Sequence, residues 1–404
     1  MKDITSHRTA KIWLYVGLGL GGLLLVLAVI FLATQKVLAP RIETVKTDEP
    51  LPANAEMKLL VMGDIYWGRY INSWSMASPL QYTYPFQQLN DFERDDYDAW
   101  IANLECPVTN NPKVSPAQEE ATLKFDCSPA YLPEAAKWFT AVSLANNHTD
   151  NQNGQIGLLE TKQHLEQNGI QYFGTFEPEL YDDICEVVSL PARVTMTDKS
   201  VKTAKLPLAL CGYHGVFKIP SVASVDTISR YSNLFNVISL PHSGQEYVAT
   251  PDRIKTTLYR AMIDAGADVV AGGHPHWVQT SEAYKGKLIA YSLGNFIFDQ
   301  QRLPETTRSA VLSITLSVNA ADAPDIQQWL TLGETCSGYH DDCSTQAEEK
   351  GLKKLPFTYN FAMLGSVDDN KVTRLAEEGE LKAIKERLDW QRTVSGLTER
   401  YSGQ

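Results

Sequence analysis

Two histidines stand one residue apart in the segment Gly272-Gly273-His274-Pro275-His276. A neutral imidazole offers a nitrogen lone pair to a metal ion. In extended backbone, residues i and i+2 point to the same side of the chain, so both rings can face one site. Taken alone, the pair fits core packing as well as metal binding. Its meaning depends on which other polar residues reach the same place.

Further residues that can bind metal also follow short apolar runs. Asp64 follows the run Leu59–Met62, and Glu105 follows Ala99–Ala102. The remaining candidates behind such runs are Asn147, His148 and His242, with Glu246 close after the last of these. Taken singly, each has a structural alternative as a helix cap, a turn residue or a hydrogen-bonded histidine. Together, carboxylates, an amide oxygen and imidazoles suit Zn, Mn or Fe, as one ion or as a pair.

The apolar runs predict strands that alternate with helices. Helical segments are expected over Gly154–Asn168 and Asp252–Ala265, each followed by a glycine, which is frequent directly after a helix. Alternating strands and helices indicate an α/β domain with a mixed or parallel sheet. Because strand carboxyl ends converge on one crevice in such sheets, the polar residues behind the runs are expected to meet there.

After Gln300 the pattern changes. Ser309–Val318 alternates and predicts an outer strand, and Phe357–Leu364 predicts one more. The acidic residues 319–355 predict a surface insertion, and Val372–Tyr401 predicts a closing helix. The expected organisation is one domain over residues 57–318 and an extension over residues 319–404.

Composition restricts the partners. The net charge is -12 and no block of basic residues occurs, so nucleic-acid binding has no electrostatic basis. The uninterrupted apolar run over residues 12–34 predicts a transmembrane signal anchor. Residues 1–11 would then be cytoplasmic and residues 35–56 a linker. A cleaved signal peptide is the alternative.

Six cysteines follow this run, an even number that suits an oxidising exterior. We therefore expect a single-pass plasma-membrane protein whose C-terminal domain is extracytoplasmic. Buried reduced cysteines are the alternative. Spacing does not determine the pairing, although pairing of nearest neighbours is expected, with Cys336–Cys343 the shortest loop.

Six segments resemble, in this order, the bacterial capsule-synthesis family associated with poly-γ-glutamate (CapA/PgsA-like), which is related to the calcineurin-like metallophosphoesterases. The segments are VMGDIYWGR, IANLECPVT, SLANNHTDNQNGQIG, ISLPHSGQEY, DVVAGGHPHWVQ and YSLGNFIFD. The resemblance covers residues 57 to about 300. It implies a four-layer α/β/β/α metallophosphoesterase-like sandwich with the metal site at one sheet edge.

The resemblance also implies two groups of metal ligands that share Glu105 as a bridge. The first group adds Asp64 and His276. The second group adds Asn147, His242 and His274. Around them, the resemblance implies His148 as general acid, with the supporting residues Arg69 for an anionic substrate group, Asp150 near His148, Glu246 behind His242, and Asn295 at the site edge.

Three positions depart from the patterns of these related proteins. Tyr66 stands where the classical phosphoesterases have the histidine of Asp-x-His, so the first metal lacks a nitrogen ligand there, as is common in the capsule family. Asp150 stands one residue earlier than the family's aspartate, which leaves its pairing with His148 open. Cys106 replaces the usual glycine and suggests a local disulfide, with Cys127 as the candidate partner.

Two functions are compatible with these observations. The first is a metal-dependent hydrolase or transferase of capsule biosynthesis that acts on an envelope polymer such as poly-γ-glutamate, or on its precursor. The second is a non-catalytic assembly or anchoring subunit that works with membrane synthase and export subunits. A secreted phosphodiesterase unrelated to capsule is a weaker third possibility.

Overall fold

The computed structural model describes residues 49–336 and 340–403. The predicted transmembrane segment 12–34, the N-terminal residues before it and most of the predicted linker lie outside these ranges. Among the described helices, none combines the length and the apolar character needed to cross a bilayer.

The long strand β1 (Pro52–Ile65) organises the sheet. Along one edge it pairs antiparallel with β12 (Arg308–Asn319). Along the other edge its first half pairs antiparallel with β5 (Cys185–Met196), whereas its second half pairs parallel with β2 (Ala99–Leu104). The hydrogen-bonded sheet therefore divides into two branches at β1.

The shorter branch continues from β2 through two parallel strands, β3 (Ala141–Ser143) and β4 (Gln171–Phe173). The longer branch runs from β5 in the spatial order β6 (Val201–Gly215), β7 (Val237–Ser243), β8 (Val269–Ala271), β10 (Lys287–Ala290) and β9 (Ser281–Tyr284). One further short strand, β11 (Asn295–Ile297), pairs parallel with the carboxyl end of β1. The result is a mixed α/β fold, as the alternating pattern predicts.

Helices connect many of these strands. The α-helices of the described residues are α1 (Arg69–Ala77), α2 (Pro116–Thr122), α3 (Leu132–Ala135), α4 (Gln155–Gln167), α5 (Val222–Ser232), α6 (Arg253–Asp264), α7 (Ile326–Thr335), α8 (His340–Glu349), α9 (Glu378–Leu388) and α10 (Trp390–Ser395). Short 3-10 helices span Gln81–Phe86, Leu89–Phe92, Arg94–Asp96, Pro129–Tyr131 and Tyr181–Asp183. The two helices expected from sequence, α4 and α6, have the predicted bounds to within one residue.

Strand β1 is buried on both faces. Its side chains alternate between two apolar clusters, with Leu59 and Val61 in one cluster and Leu60 and Met62 in the other. Alternation with period two places successive side chains on opposite faces of a strand. A strand covered on both faces reads as a continuous apolar run, which explains the sequence LLVM at its centre.

The C-terminal region differs from the prediction in three ways. Strand β12 is internal, because it lies between β1 and β13 (Thr358–Asp369). Residues 319–355 are partly a packed layer, since Trp329 of α7 is buried in the core. The segment Val372–Tyr401 is not one helix: it comprises β14 (Val372–Leu375), α9, α10 and β15, which spans Tyr401–Gly403.

The first of these C-terminal strands has a local cause. Asn370 and Lys371 both have positive φ angles, 49° and 69°, which suit the tight turn of a hairpin. The β-branched residues Val372 and Thr373 follow the turn and pair with the end of β13. Turn chemistry and β propensity therefore make Val372–Leu375 a strand, although the residues after it have the composition of a helix.

A buried carboxylate connects the C-terminal region to the sheet. Asp268, which is 1% exposed, accepts hydrogen bonds from the Tyr401 hydroxyl at 2.8 Å, Lys354 Nζ at 2.8 Å and the backbone N–H of Val237 at 2.9 Å. Burial opposes its ionisation, but Lys354 and Lys287 outweigh burial and hold the pKa of Asp268 below its usual range. The ionised form is therefore the one that the fold stabilises.

We predict that Asp268→Asn lowers the free energy of unfolding by about 3 kcal/mol at pH 7, because it leaves two mostly buried lysines, Lys354 and Lys287, without their counter-charge. A depressed folded-state pKa contributes stability above the unfolded pKa of about 3.9, and this contribution disappears as pH falls further. Urea denaturation should therefore show a difference from wild type that shrinks below about pH 4. Asp264→Asn, in an exposed pair with Lys285, is the control and should change little. A difference that does not shrink at all as pH falls from about 4 to about 2 would contradict this assignment.

Candidate metal centre

The polar residues expected to converge do meet at one edge of the sheet. Asp64 lies near the end of β1, Glu105 follows β2 directly and His242 lies within β7. The loops after β3 and β8 supply the others, Asn147, His148, His274 and His276. All seven are buried.

Possible ligand atoms of these residues form two groups, each with its atoms within 4.8 Å of one another. One group contains Asp64, Glu105 and His276, and the other contains Glu105, His242 and His274. The two groups share Glu105, as the resemblance implies. Asn147 lies beside the second group, with its Oδ1 atom 2.9 Å from His242 Nε2.

Glu105 provides the test of whether these residues fit a cation. Both of its carboxylate oxygens are buried without a hydrogen-bond partner. The nearest imidazole nitrogens are His242 Nε2 at 3.6 Å and the Nε2 atoms of His276 and His148, each at 3.9 Å from Oε1. A buried carboxylate without such partners is costly, so the arrangement favours an additional positive charge between these atoms. His274 Nδ1, also buried without a partner, fits the same need.

The pKa shifts of the buried acids and of His242 also indicate that the site favours positive charge. Burial and the neighbouring Asp64 raise the pKa of Glu105. Burial likewise opposes ionisation of Asp64, but His242 and His276 outweigh it and lower the pKa of that carboxyl. Burial would lower the pKa of His242, yet the carboxylates of Glu105 and Asp64 raise it to about 9. The two acids therefore hold a proton on His242 in the absence of another cation.

The hydrogen bonds of His276 leave one nitrogen for a ligand role. Its Nδ1 atom lies 2.8 Å from Oδ1 of Asn295. The amide nitrogen of Asn295 donates elsewhere, to Gln300 and Thr306, so its oxygen is the atom that faces the ring. His276 therefore carries its proton on Nδ1 and presents the Nε2 lone pair to Glu105. Asn295 thus lies where the resemblance puts it, against the site.

The backbone of the two neighbouring histidines is not extended, contrary to the argument from alternation. His274 and His276 have positive φ angles of 89° and 56°. Their rings reach the site because the chain bends here, and the His274 backbone N–H donates to Asp64 Oδ2 at 3.2 Å. A Cβ atom on Gly273 would lie 2.5 Å from Asp64 Oδ1, so this close approach requires glycine.

His148 is held by a residue that the sequence argument passed over. Its Nδ1 atom lies 2.8 Å from Oδ1 of Asn151, which also accepts the Phe125 backbone N–H at 2.9 Å. Asp150 is exposed and is not brought to the histidine. Burial lowers the pKa of His148 to about 3. The ring is therefore neutral, with its proton on Nδ1 and Nε2 3.9 Å from Glu105.

Two other candidates, Arg69 and Glu246, line a cavity of about 450 Å³ beside the metal ligands. Arg69 is in the cavity wall, but its guanidinium already donates to both carboxylate oxygens of Asp299. Glu246 is also in the wall. It has no described bond to His242, whose ring nitrogens instead face Asn103, Asp64, Asn147 and Glu105. Both residues line the cavity, but their hydrogen-bond partners differ from those expected.

Asn103 and Tyr66 complete the surroundings. Asn103 Nδ2 donates to Asp64 Oδ1 at 2.8 Å, and Asn146 in turn donates to Asn103 Oδ1 at 3.1 Å. A signal for Asn103 existed, since a residue two positions before Glu105 on a strand faces the same side. Tyr66 donates its hydroxyl to Glu119 and belongs to neither ligand group.

All six cysteines form disulfides between nearest neighbours, which confirms the expected pairing. The Cys106–Cys127 bridge begins directly after Glu105. It joins the Glu105 turn to the loop of Phe125, whose ring stacks on His148 with centroids 3.7 Å apart. The bridge therefore connects two parts of the site.

Comparison with known proteins identifies the family. A family model described as "Bacterial capsule synthesis protein PGA_cap" matches residues 58–300. The chain belongs to this family of capsule synthesis proteins.

Among its relatives is the "PGA biosynthesis protein CapA" of Bacillus subtilis (strain 168), 32% identical over 68% of this chain and 70% of that protein. The "Capsule biosynthesis protein CapA" of Bacillus anthracis is 26% identical over 68% of this chain and 67% of that protein. One solved structure, that of TT1561 from Thermus thermophilus, aligns with a TM-score of 0.32 at 9% identity, over 63% of this chain and 93% of the other. That score is too low to support a structural argument.

We predict that replacing Cys106 and Cys127 together by alanine lowers the free energy of unfolding by about 3 kcal/mol, because the bridge closes a loop with a sequence separation of 21. Hydrogen exchange should accelerate at the amides of Cys127 and Thr109, which bond across this loop. The matched control removes Cys185 and Cys211, separated by 26 residues, at a similar cost in stability. If the control accelerates the same amides equally, the bridge does not specifically hold the site.

Proposed function

We propose that this chain is a metal-dependent hydrolase or transferase of capsule biosynthesis, acting on an envelope polymer such as poly-γ-glutamate or on its precursor. The observation that carries the proposal is Glu105, a buried carboxylate without hydrogen-bond partners between two groups of metal-binding atoms. The names of the two Bacillus relatives support the connection to capsule polymer.

The proposed ligands are Asp64, Glu105, Asn147, His242, His274 and His276. Imidazole, carboxylate and amide ligands suit Mn, Zn or Fe. One or two such ions, when bound, supply Lewis-acid polarisation of a substrate oxygen. The protein contributes fixed ligand orientation, since Asn103 restrains Asp64 and Asn295 restrains His276.

His148 is the proposed proton carrier. Asn151 keeps its proton on Nδ1, so Nε2 is the atom that accepts a proton from an attacking hydroxyl group, once an anionic substrate group offsets the burial that lowers the pKa of His148. The same atom then returns the proton to the leaving oxygen or nitrogen, which is the general-acid role. Phe125 stacks on the ring and holds its plane while the proton moves. Arg69 meets an anionic substrate group only in competition with Asp299.

The placement of the protein in the cell is also a proposal. We infer that residues 12–34 anchor the chain in the plasma membrane and that the body lies outside. Three disulfides suit an oxidising compartment and support this orientation. We further propose that the two branches of the sheet form the inner layers of a four-layer α/β/β/α sandwich.

A non-catalytic assembly subunit is the second candidate. The observation in its favour is Tyr66, which stands where the classical phosphoesterases have a nitrogen ligand and which donates its hydroxyl to Glu119. A subunit of this kind would retain metal for structure or polymer contact and would not need His148 for proton transfer.

Metal analysis of the purified full chain tests the proposal. We expect at least one bound transition ion, and we expect Glu105→Gln to weaken binding by about 100-fold or more because both ligand groups share this residue. His148→Ala should retain the metal and abolish polymer production in a complemented deletion strain. The matched control is Glu282→Gln, whose carboxylate pairs with Arg260 outside the site. A metal-free wild type would rule out the enzyme, and normal polymer production by His148→Ala would favour the assembly subunit.

A further inference from the structure

Tyr247 combines features that neither the ligand set nor the proton carrier uses. It is 40% exposed and faces the cavity beside the ligands. Its φ angle is 57°, in the left-handed region that non-glycine residues rarely adopt. Such backbone persists where surrounding contacts fix it, and it is frequent at functional sites. Three contacts of Tyr247 lead to His276.

Two of these contacts are direct. The backbone N–H of Tyr247 donates to the carbonyl of Pro275 at 2.9 Å. The tyrosine ring stacks on the His276 ring, with centroids 5.9 Å apart and planes inclined by 28°. The segment that contains His276 is therefore held from one side by both the backbone and the ring of Tyr247.

The third contact is a chain of side-chain hydrogen bonds. Gln300 Nε2 donates to the Tyr247 hydroxyl at 3.1 Å, and Gln300 Oε1 accepts from Asn295 Nδ2 at 3.2 Å. Asn295 Nδ2 also donates to the Thr306 carbonyl at 3.1 Å. Because both of these acceptors receive hydrogen bonds from the amide nitrogen of Asn295, its Oδ1 atom is the one that faces His276 Nδ1. The Thr306 carbonyl, which can only accept, fixes the amide direction of Asn295; Gln300 Oε1 supports that direction, and the Tyr247 hydroxyl holds Gln300 in place by accepting from its Nε2 atom.

We propose that Tyr247 and Gln300 are positioning residues that hold His276 as its Nδ1–H tautomer, with Nε2 directed at the metal site. This inference deepens the proposed function and rests on it for the role of His276 as a ligand. The exposed part of Tyr247 lines the cavity, so a group that enters the cavity meets the residue that orients the ligand. Partners of this kind affect metal affinity by about 10- to 100-fold.

The tautomer of His276 is the direct test. The full chain, labelled with 15N-histidine, contains only eight histidines, and a His276→Gln variant assigns the resonance. At about pH 8.5, where ordinary imidazoles are neutral, the wild type should carry the ring proton on Nδ1. Gln300→Leu and Tyr247→Phe should each shift His276 toward a mixture of tautomers. Tyr181→Phe, whose hydroxyl bonds to Glu179, is the matched control and should leave the resonance unchanged.

Zn²⁺ affinity of the same proteins, measured against a competing chelator, is the second readout. We expect Gln300→Leu to weaken one binding step about tenfold. Because both residues act through one chain of bonds, the double variant should be no weaker than Gln300→Leu alone, whereas independent structural effects would add.

The outcomes separate this inference from the proposed function. An unchanged tautomer in Gln300→Leu, or additive losses in the double variant, would overturn the positioning role even if the wild type binds Zn²⁺. A wild type that binds no Zn²⁺ but shows the expected tautomer shifts would retain the positioning role and contradict the proposed function.

Discussion

The unmet hydrogen-bonding capacity of one buried carboxylate governs the arrangement of this site. Glu105 lies at the centre of two ligand groups, and neither of its oxygens has a hydrogen-bond partner. In the interior, where the dielectric constant is low, the charges of Glu105 and Asp64 act strongly on His242 and raise its pKa to about 9. The surrounding imidazoles and amides leave both oxygens of Glu105 without a hydrogen-bond partner, so the arrangement favours a positive charge at this point.

Strand β1 brings the residues of this site together. Because this strand pairs with β2 in its second half and with β5 in its first, it connects both branches of the sheet. Polar residues that belong to different branches, such as Glu105 and His242, therefore reach the same edge. The apolar clusters on both faces of β1 hold this strand in place, and they thereby hold the carboxylate of Asp64 near its end.

Around the ligands, neutral amides decide the chemistry of the rings. Asn295 and Asn151 each accept a hydrogen bond from Nδ1 of a histidine, which leaves Nε2 as the reactive nitrogen of His276 and His148. An aspartate in either place would add a negative charge and favour the charged imidazolium. Asparagine selects the tautomer without that charge, which suits a site that already contains two acids.

Local sequence patterns were sufficient to predict the α/β class and the residues that meet at the sheet edge, because apolar runs define strands and the strand ends of such sheets converge. The family came from the resemblance of six segments, and the pairing of nearest-neighbour cysteines was an expectation that spacing does not determine. The hydrogen-bond partners could be identified only from the folded chain. They are Asn151 for His148 in place of Asp150, Asp299 for Arg69, and Gln300 with Asn295 for His276. Such choices depend on small differences in distance between residues far apart in the chain, 230 positions for Arg69 and Asp299. The bent backbone at His274 and His276 is likewise a product of tertiary contacts, since the left-handed region is one that neither residue favours by itself.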